Sequence, residues 1–534
     1  MSSPDMWKSI SDPAAAMKAV SAQTMRALDA ETIRSGALDG FHLMLRAGDA
    51  AFREIIRAFP RAEKYLVLAG KGNNGSDGSV VASRLAGSGR CVEFFLTCDP
   101  AELSGDALAA FRLIPDSVPV QRELSPDAFA ADCIIIDALL GTGSSGAPRM
   151  PAADWIRRIN RSRRPVVSLD LPSGLNADDG TAPGEAVRAD LTVTFELPKA
   201  GLFLEDGPGL CGRIRVPGIG IPAALTEAAD FLFSVTGPED ALPFLGREPF
   251  DSYKNQRGHV LIAGGSAQYS GAPFLSGEAA LRTGAGLVSV AVPDSARSGG
   301  ALPHALMIRR FASSNGSFPS SASDLDRLTE LLGKAHAAVF GPGMGSDPAS
   351  DPVIALALEW ENTLILDADA LNRISASQDL RKKLLDRKPG SAVLTPHKGE
   401  RARLLAAFGQ AASEKNEHEA CLLARLTGAL VVAKGPHTVI AAPDGSFTRN
   451  LSGCTALATA GSGDVLSGMI AALTASPVVR SGKADLRRAV AAAVYLHGLT
   501  GELCAPVPCS GRGTAADDLI RMIPAALRSV SPFA

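Results

Sequence analysis

The sequence lacks the features that mark membrane proteins, nucleic-acid-binding proteins and disulfide-bonded secreted proteins. Charged residues make up only 20% of the 534 residues, and the net charge of −3 leaves no basic surplus to attract nucleic acid or an anionic membrane. No apolar run reaches the ~18 residues that cross a bilayer, and the first residues show no apolar signal-peptide core. The eight cysteines include no C-x-x-C pair, so we expect free thiols and a cytoplasmic protein.

What the sequence does contain indicates an α/β protein of two domains. The apolar fraction is 46% and there are 53 glycines, which is typical of a globular chain with many tight turns. Short apolar segments of strand length alternate with segments of helix length, and this alternation predicts mostly parallel sheets. The pattern weakens where prolines recur between its two halves. We therefore expect a first domain over residues 1–225, a linker over 226–250 and a second domain over 251–534.

The run from Ala460 to Asp464 is the strongest chemical signal. Gly461 and Gly463 flank Ser462, and an apolar helical pattern follows Asp464 immediately. Backbone N–H groups and the positive end of a helix would then surround one point, which suits an anion. A carboxylate there can accept the proton of a hydroxyl that attacks a phosphoryl group, so the run predicts phosphoryl transfer. The alternative is a glycine-rich turn in which Asp464 only caps the helix.

A second glycine-rich turn spans residues 70–78 and joins a predicted strand to a predicted helix. It contains the G-x-G-x-x-G spacing of dinucleotide-binding folds, and Asp99 lies roughly where a ribose-binding acid would follow the next strand. Asn73, Asn74 and Asp77 add polar side chains that an ordinary turn of this kind does not need. Amides and carboxylates there can hold a sugar, a phosphate or a cation. A tight turn without a ligand is the alternative.

Polar groups also close two later strands of the first half. Asp137 ends one predicted strand, Asp170 ends the next, and Ser173 follows shortly after. Because the carboxyl ends of parallel strands share one edge of a sheet, these groups should meet residues 73–77. Their oxygen atoms fit a hard cation such as K⁺, Na⁺ or Mg²⁺. Taken singly, each aspartate could instead be a simple cap.

As a set, these motifs resemble a known family. Residues 72–78, 141–143 and 169–174 resemble the epimerase domain of the NAD(P)H-hydrate repair enzymes. The second half carries, in the order of that family's ribokinase-like dehydratase domain, the segments 264–266, 270–273, 341–345, 367–372, 395–400 and 434–435 and the Asp464 run. The resemblance implies an α/β fold with an N-terminal Rossmann-like three-layer domain and a C-terminal ribokinase-like α/β domain.

The activity that the resemblance implies is bifunctional repair of nicotinamide nucleotides. The substrates would be NADHX and NADPHX, the forms of NADH and NADPH in which water has added across a nicotinamide ring double bond. The first domain would interconvert the R and S epimers at the hydrated carbon. The second would dehydrate the S epimer while ADP is converted to AMP and phosphate, with Mg²⁺ accompanying the nucleotide. The family's pattern also implies a homo-oligomer.

The same resemblance implies residues for each site, with Asp464 and Asp170 as the catalytic carboxylates. The epimerase substrate would contact Asn73, Asn74, Gly75, Ser76, Asp77, Gly141, Thr142, Gly143, Ser144, Ser145, Gly146, Ala147 and Asp170. K⁺ would be held by Asn74, Asp137 and Ser173. The dehydratase substrate would contact Ala272, Gly343, His397 and Asp464, and the adenine nucleotide would contact Lys434, Gly435, Pro436, His437, Thr438, Gly461, Ser462 and Gly463.

Two other functions remain open from the sequence. A ribokinase-like kinase for a small alcohol, such as a vitamin precursor, would share the run that ends at Asp464, although it would need no second nucleotide-type site. The N-terminal half could instead be a non-catalytic dinucleotide-binding or scaffold domain, although Asp137 and Asp170 are intact. His397 and Lys434 have structural alternatives as well, as a turn histidine and as a solvated lysine at a strand end.

Overall fold

The computed structural model describes residues 17–125, 127–129, 132–297, 303–313, 316–318, 321–413, 415–505 and 511–534. Over these residues the chain forms two compact units, with the boundary after Ser234. The seven cysteines in the described ranges are free thiols, and Cys509 lies outside those ranges. Within the same ranges, no helix combines the length and the apolar character needed to span a bilayer. The division into residues 1–225, 226–250 and 251–534 stays a prediction.

The N-terminal unit alternates strands and helices. Its elements in chain order are β1 (Met17–Ala19), α1 (Ala22–Arg34), α2 (Gly40–Ala58), β2 (Lys64–Ala69), α3 (Asn73–Gly87), β3 (Cys91–Leu96), α4 (Gly105–Phe111), β4 (Val120–Gln121), β5 (Ile134–Ala138), α5 (Ala152–Ser162), β6 (Val166–Leu169), β7 (Leu191–Val193), α6 (Gly207–Leu210), β8 (Arg213–Arg215) and α7 (Ala223–Ala228). Strands β2 to β8 form a parallel sheet in the order β4-β3-β2-β5-β6-β7-β8. The order in which strands are added to the sheet changes direction between β2 and β5, because β3 and β4 lie on one side of β2 and β5 to β8 lie on the other. In open α/β sheets, ligands bind beyond the carboxyl ends of the strands at such a point.

Burial on both faces explains the composition of the central strands. Every residue of β2 and β5 is buried except Lys64, and both strands are nearly continuous apolar runs. Such runs are typical of parallel strands that helices cover on both sides. Tyr65 and Val67 pack with the core of α1, α2 and α3, whereas Leu66 and Leu68 pack with α5 on the other face. The N-terminal unit therefore has the three layers of a Rossmann-like fold.

The start of α3 differs from the sequence-based expectation. The sequence suggests a turn over residues 70–78 with a helix from Ser79, but the helix begins at Asn73. Two glycines of this motif, Gly75 and Gly78, allow the helix to pack closely against neighbouring atoms. A Cβ atom on Gly75 would lie 1.8 Å from the carbonyl oxygen of Gly70, and one on Gly78 would lie 2.7 Å from the side chain of Ala138. The polar residues of this motif consequently lie in the first turns of a helix that is pressed against the sheet.

The C-terminal unit contains a longer series of the same kind, and the boundary between the units falls within β9. Its elements are β9 (Phe233–Val235), α8 (Pro238–Ala241), β10 (His259–Ala263), α9 (Ala272–Thr283), β11 (Leu287–Pro293), β12 (Met307–Phe311), α10 (Ala322–Leu332), β13 (Ala337–Phe340), α11 (Asp351–Glu359), β14 (Thr363–Leu366), α12 (Asp369–Ala376), α13 (Gln378–Leu385), β15 (Ala392–Leu394), α14 (Lys398–Ala407), α15 (Asn416–Thr427), β16 (Leu430–Ala433), β17 (Val439–Ala441), β18 (Phe447–Arg449), α16 (Ser462–Thr474), α17 (Pro477–Arg480), α18 (Leu486–Cys504) and α19 (Ala516–Val530). Its strands follow the order β18-β17-β16-β15-β14-β13-β10-β11-β12. They are parallel from β16 to β12, and β17 and β18 are antiparallel additions.

Among the nine strands from β18 to β12, the sequence pattern missed three. β12 lies at the edge, and its Arg309 and Arg310 are both exposed, so it shows neither a continuous apolar run nor an alternating pattern. β17 and β18 are only three residues long. Strands this short fall below the length at which hydrophobic periodicity is informative.

Helix α16 packs against α9 with almost no space between the two backbones. A Cβ atom on Gly468 would lie 2.0 Å from the carbonyl oxygen of Ser276. The Ser276 hydroxyl donates to the carbonyl oxygen of Asp464 at 2.9 Å and lies 3.1 Å from the hydroxyl of Ser467. These contacts hold the first turn of α16 in a fixed position against α9.

We expect Gly468→Ala to lower the stability of the protein by about 1–3 kcal/mol, because the added methyl group overpacks this contact. At a helix position with free space around it, the same change would stabilise the protein by about 1 kcal/mol. A loss of stability would therefore show that α16 and α9 are in close contact at Gly468. Gly87→Ala is the control, since a Cβ atom at that helical glycine would meet nothing within 4 Å. Denaturant unfolding of both variants checks the prediction, and a stabilised Gly468→Ala protein would contradict it.

Candidate active sites

A cavity of about 800 Å³ opens at the carboxyl ends of β2 and β5 in the N-terminal unit. The Ser76 hydroxyl donates back to the carbonyl of Gly72 at 3.3 Å, and Gly75 lies against Gly70, so Ser76 and Gly75 do not line the cavity. All the other residues predicted for an epimerase substrate line it, namely Asn73, Asn74, Asp77, Gly141, Thr142, Gly143, Ser144, Ser145, Gly146, Ala147 and Asp170.

A lysine and an aspartate form a buried ion pair in this cavity. Lys199 Nζ lies 2.6 Å from Asp170 Oδ1, and the lysine side chain is only 2% exposed. The same ammonium group donates to Thr194 Oγ1 at 3.1 Å and to the carbonyl of Phe195 at 3.4 Å. Because all three N–H donors of Lys199 have acceptors, the pair is fixed in position. Asp170 has a φ of 64°, which is uncommon for a residue with a side chain.

Two further carboxyl groups, both partly buried, lie close to this ion pair. Burial raises the pKa of Asp29, on α1, to about 6; Lys199 opposes this shift, whereas Asp170 and Glu196 add to it. Burial also raises the pKa of Asp77, on α3, well above its usual value, with a further contribution from nearby carboxylates. Asp29 could not be identified from the sequence, because an aspartate on an amphipathic helix resembles one on a solvated face. Perturbed carboxyl groups in a cleft are typical of functional sites.

The three residues predicted to hold a cation come together around Leu140. Asp137 accepts the hydroxyl of Ser173 at 2.5 Å, the hydroxyl of Ser168 at 2.8 Å and the N–H of Ser173 at 2.9 Å. The backbone N–H of Leu140 donates to Ser173 Oγ at 2.9 Å, and Asn74 Nδ2 donates to the Leu140 carbonyl at 2.7 Å. Burial raises the pKa of Asp137, and these hydrogen bonds oppose the shift. Asn74 Oδ1 is buried without a hydrogen-bond partner among the described residues.

Asp99, which the sequence placed near a ribose, is engaged elsewhere. Its carboxylate accepts a hydrogen bond from Arg122 at 2.9 Å and caps a short 3₁₀ helix through the N–H of Ala101. Arg122 and Glu102, rather than Asp99, line the cavity at this strand end.

In the C-terminal unit, the predicted dehydratase residues follow strand ends on one edge of the sheet. Because β10, β13, β14, β15 and β16 run parallel, the segments after them share that edge. The start of α16 reaches the same place, since a Cβ atom on Gly463 would lie 3.2 Å from Lys434 Nζ. The segments are residues 264–266, 341–345, 367–369, 395–397 and 434–438.

Asp464 lies in the first turn of α16 beside a second buried ion pair. Lys434 Nζ lies 2.7 Å from Asp367 Oδ1. Burial raises the pKa of Asp464 to about 7; Asp367 adds to the shift and Lys434 opposes it, and Asp369 and Glu400 make smaller contributions. An acid that changes charge near neutral pH suits a general base. The sequence singled out Asp464 and Lys434, but it assigned no role to Asp367.

His397 has a structural role at the start of α14. Its Nδ1 accepts hydrogen bonds from the backbone N–H groups of Gly399 at 3.0 Å and Glu400 at 3.4 Å. The Glu400 carboxylate accepts the N–H of His397 at 2.9 Å, which completes a capping box. Partial burial and the charge of Lys434 lower the pKa of His397. The ring is still 55% exposed, so it is both a helix cap and accessible to a ligand.

Ala272 and Gly343 are neighbours beside the loop of Tyr269. A Cβ atom on Gly343 would lie 3.3 Å from the Ala272 side chain and 2.4 Å from the Tyr269 carbonyl oxygen. Gly343 has a φ of 62°, so a side chain there would also strain the backbone. Ala272 is the first residue of α9. Both small residues keep open the space in front of a helix start.

One histidine lies in, and another lies beside, the two segments predicted to hold the nucleotide. His437 Nδ1 lies 2.9 Å from the carbonyl oxygen of Asn450, and burial lowers the pKa of His437 to about 4. Ser462 Oγ lies 3.2 Å from His497 Nε2, and burial lowers the pKa of His497 to about 4. Neither imidazole therefore adds positive charge at neutral pH. The charge available to phosphates in these segments comes from Lys434 and the start of α16.

Comparison with known proteins finds relatives of both halves of the chain. Two family models match the chain, one described as YjeF-related protein N-terminus over residues 40–201 and one described as NAD(P)H-hydrate dehydratase over residues 260–525. The chain is 36% identical to the bifunctional NAD(P)H-hydrate repair enzyme Nnr of Moorella thermoacetica, over 96% of this chain and 97% of that protein. Identity to the protein of the same name from Escherichia coli is 32%, over 90% of this chain and 88% of that protein.

Among solved structures, an ADP/ATP-dependent NAD(P)H-hydrate dehydratase of Bacillus subtilis, co-crystallized with ATP/Mg²⁺, aligns at 25% identity with a TM-score of 0.42, over 54% of this chain and 96% of that chain. The predicted fold class, a Rossmann-like unit followed by a ribokinase-like unit, is confirmed. Because both halves match in the same relatives and over nearly their whole length, the chain belongs to the family of bifunctional NAD(P)H-hydrate repair enzymes.

Proposed function

We propose that the two units carry two linked repair reactions on hydrated nicotinamide nucleotides. The N-terminal unit epimerises NADHX and NADPHX at the hydrated carbon. The C-terminal unit dehydrates the S epimer to NADH or NADPH while ADP becomes AMP and phosphate. Asp464 carries the proposal, because burial raises its pKa to about 7 at a helix start beside the Lys434–Asp367 pair.

Dehydration in the C-terminal unit requires that the ring hydroxyl become a leaving group. Asp464 takes the hydroxyl proton while the oxygen attacks the terminal phosphoryl group of ADP, and AMP departs. N–H groups at the start of α16 and the ammonium of Lys434 stabilise the charge on the transferred group. Phosphate then leaves with the electron pair of the ring C–O bond, and loss of a neighbouring ring proton restores the double bond.

Mg²⁺ fits this step as a partner of the nucleotide phosphates. In the part of the chain that the structure describes, no group of three or more His, Cys, Asp or Glu side chains could hold a metal ion. Mg²⁺ usually keeps several waters and binds through substrate phosphates and one or two carboxylates. Asp367 and Asp369, which follow β14 at the same sheet edge, are the carboxylates placed to take part.

Substrate binding in the N-terminal unit rests on the cavity beside the start of α3. The N-cap residue of this helix, Gly72, supplies no side-chain cap, so the first N–H groups of α3 are available to the phosphates of the substrate. The Asp170–Lys199 pair places a fixed positive and a fixed negative charge after β6 and β7, on the same edge of the sheet. Among the predicted epimerase residues, Asp170 is the carboxylate with a defined partner in the cavity.

K⁺ is the cation that best suits the cluster around Leu140. Asn74 would use its buried, unpartnered Oδ1, and Asp137 and Ser173 would add a carboxylate and a hydroxyl oxygen. A single formal negative charge with neutral oxygens suits a weakly hydrated monovalent ion better than Mg²⁺, and the all-oxygen set disfavours Zn²⁺. When bound, the ion would supply positive charge beside the substrate phosphates. A homo-oligomer and a cytoplasmic location complete the proposal.

We expect Asp464→Asn to reduce dehydration of the S epimer by about 10²–10⁴-fold, the effect of a lost general base. Epimerisation by the same protein should be unchanged. Asp444→Asn is the control, because that exposed carboxylate only binds Ser446 in the β17–β18 turn. Product analysis with NADHX and ADP checks the prediction, and near-normal turnover would contradict it. Phosphorylation of vitamin alcohols in place of dehydration would instead support the small-alcohol kinase.

The same substitution should change stability in a pH-dependent way. Burial raises the pKa of Asp464 from 3.8 to about 7, so the folded state binds a proton that the unfolded state releases between these values. The carboxyl therefore costs little stability below about pH 4 and an increasing amount up to about pH 7. Above pH 7, Asp464→Asn should be more stable than the wild type by roughly 2–4 kcal/mol. Unfolding at pH 5 and pH 8.5 checks this, and a constant difference would refute it.

Removal of K⁺ provides a separate test of the N-terminal site. Dialysis against tetramethylammonium should abolish most epimerisation, and K⁺ should restore it, while dehydration of pure S epimer stays unaffected. Asp137→Asn should raise the K⁺ concentration needed for half-maximal epimerisation by about tenfold or more, because a charge-bearing ligand is lost. Full epimerisation after complete removal of monovalent metal ions would show that the cluster is only structural.

A further inference from the structure

Asp29 and Glu102 line the N-terminal cavity without a role in the substrate or cation sets. The Glu102 carboxylate already accepts the N–H of Asp99 at 3.1 Å, which leaves Asp29 as the carboxyl group to explain. It lies on α1, between the buried residues Met25 and Thr32 of the same helix, and it lines the cavity. Its Oδ1 is buried and has no hydrogen-bond partner within the described part of the chain. A buried carboxyl oxygen without a partner is costly, so such a group is retained where it has a use.

The other acidic groups at this place already have a partner or an assigned role. The Asp170 carboxylate is held by its ion pair with Lys199. Asp77, in the first turns of α3, belongs to the residues predicted for the substrate, and burial raises its pKa well above the usual value. The charged groups that face Asp29 are Lys199, Asp170, Glu196 and Asp77. Arg26, on its own helix, also lines the cavity.

We propose that Asp29 is the catalytic residue that exchanges a proton with the hydroxyl group of the hydrated ring carbon during epimerisation. The proposal rests on the epimerase function proposed above for the N-terminal unit. It concerns a residue that belongs to none of the substrate or cation motifs of the sequence.

The chemistry of the substrate requires such a group. A dihydronicotinamide is an enamine, so the added hydroxyl sits on the ring carbon next to nitrogen. Protonated Asp29 gives its proton to this hydroxyl, the C–O bond breaks with its electron pair leaving on water, and the nitrogen lone pair forms a C=N bond. A water molecule then adds to the opposite face of that carbon. The proton that this water releases returns to the Asp29 carboxylate through cavity water, so atoms and charge balance and no co-reactant is consumed.

The surroundings of Asp29 suit both halves of this cycle. Burial raises its pKa to about 6, opposed by Lys199, so both the acid and the carboxylate are accessible near neutral pH. A group that must give and then regain a proton works best under that condition. The Asp170–Lys199 ion pair provides fixed charges and a polar environment for the cationic ring.

The test compares Asp29→Asn with Glu31→Gln in the full chain. Both changes replace a carboxylate by an amide on α1, but Glu31 pairs with Arg34 near the surface and is not among the described residues that line the cavity. Pure R epimer of NADHX is supplied at saturation, and formation of the S epimer is followed by chromatography as a function of pH. Dehydration of S epimer with ADP reports on the second unit of the same protein, and circular dichroism reports on folding.

We expect Asp29→Asn to lower the kcat of epimerisation by about 10²-fold or more, with KM and dehydration almost unchanged. The kcat of the wild type should decline as pH rises through about 6, and this decline should be absent in the variant. Glu31→Gln should behave as the wild type. A variant with wild-type kcat, or one that raises only KM, would overturn the proposal.

Two further outcomes are also decisive. If Asp29→Asn does not fold, the wild-type pH profile decides, because a kcat that is constant within one pH unit either side of about 6 overturns the role of Asp29. If the wild type itself does not epimerise NADHX or NADPHX under any condition, the proposed function of the unit has failed rather than the assignment of one residue.

Discussion

Both units depend on a buried ion pair between a lysine and an aspartate that follows a parallel strand. Lys199 pairs with Asp170 in the first unit and Lys434 with Asp367 in the second, at 2.6 Å and 2.7 Å. Removing charges from water is expensive, and such pairs persist only with good geometry. Each pair supplies fixed charge at the edge of the sheet where we propose that a phosphorylated ligand binds. Each also stands beside a third carboxyl group that burial leaves ready to change its protonation state near neutral pH.

The sequence was most informative in its short runs of glycine and acidic residues. The order of glycine-rich and acidic motifs predicted the fold class, the family, and the meeting of Asp137, Asn74 and Ser173 at one sheet edge. It was silent on Asp29 and on the pairing of Lys199 with Asp170, because those groups come from separate elements and only tertiary packing brings them together. The start of α3 was misplaced for a related reason, since helix formation there is decided by contact with the sheet and not by local propensity.

Glycine in this chain often marks contact between backbones and not only a turn. Gly75 lies against Gly70, Gly468 lies against Ser276, and a Cβ atom on Gly341 would lie 2.0 Å from the Asp367 carbonyl oxygen. These contacts press helix starts and loops onto the strand ends. The positive ends of α3 and α16 are thereby held at the same edges as the ion pairs, which is the arrangement that anion binding needs.

The charged edge strand β12 has a consequence for the behaviour of the protein in concentrated solution. An unpaired strand edge offers a row of N–H and C=O groups to any other extended chain, and long apolar edges of this kind promote aggregation. β12 ends the described sheet of the C-terminal unit, and its Arg309 and Arg310 are exposed. Because neighbouring side chains of a strand point to opposite faces, joining two such edges would add two guanidinium groups to each face of the combined sheet. Arg309 and Arg310, which interrupt the apolar pattern of β12, therefore also oppose the pairing of this edge with a strand of another chain.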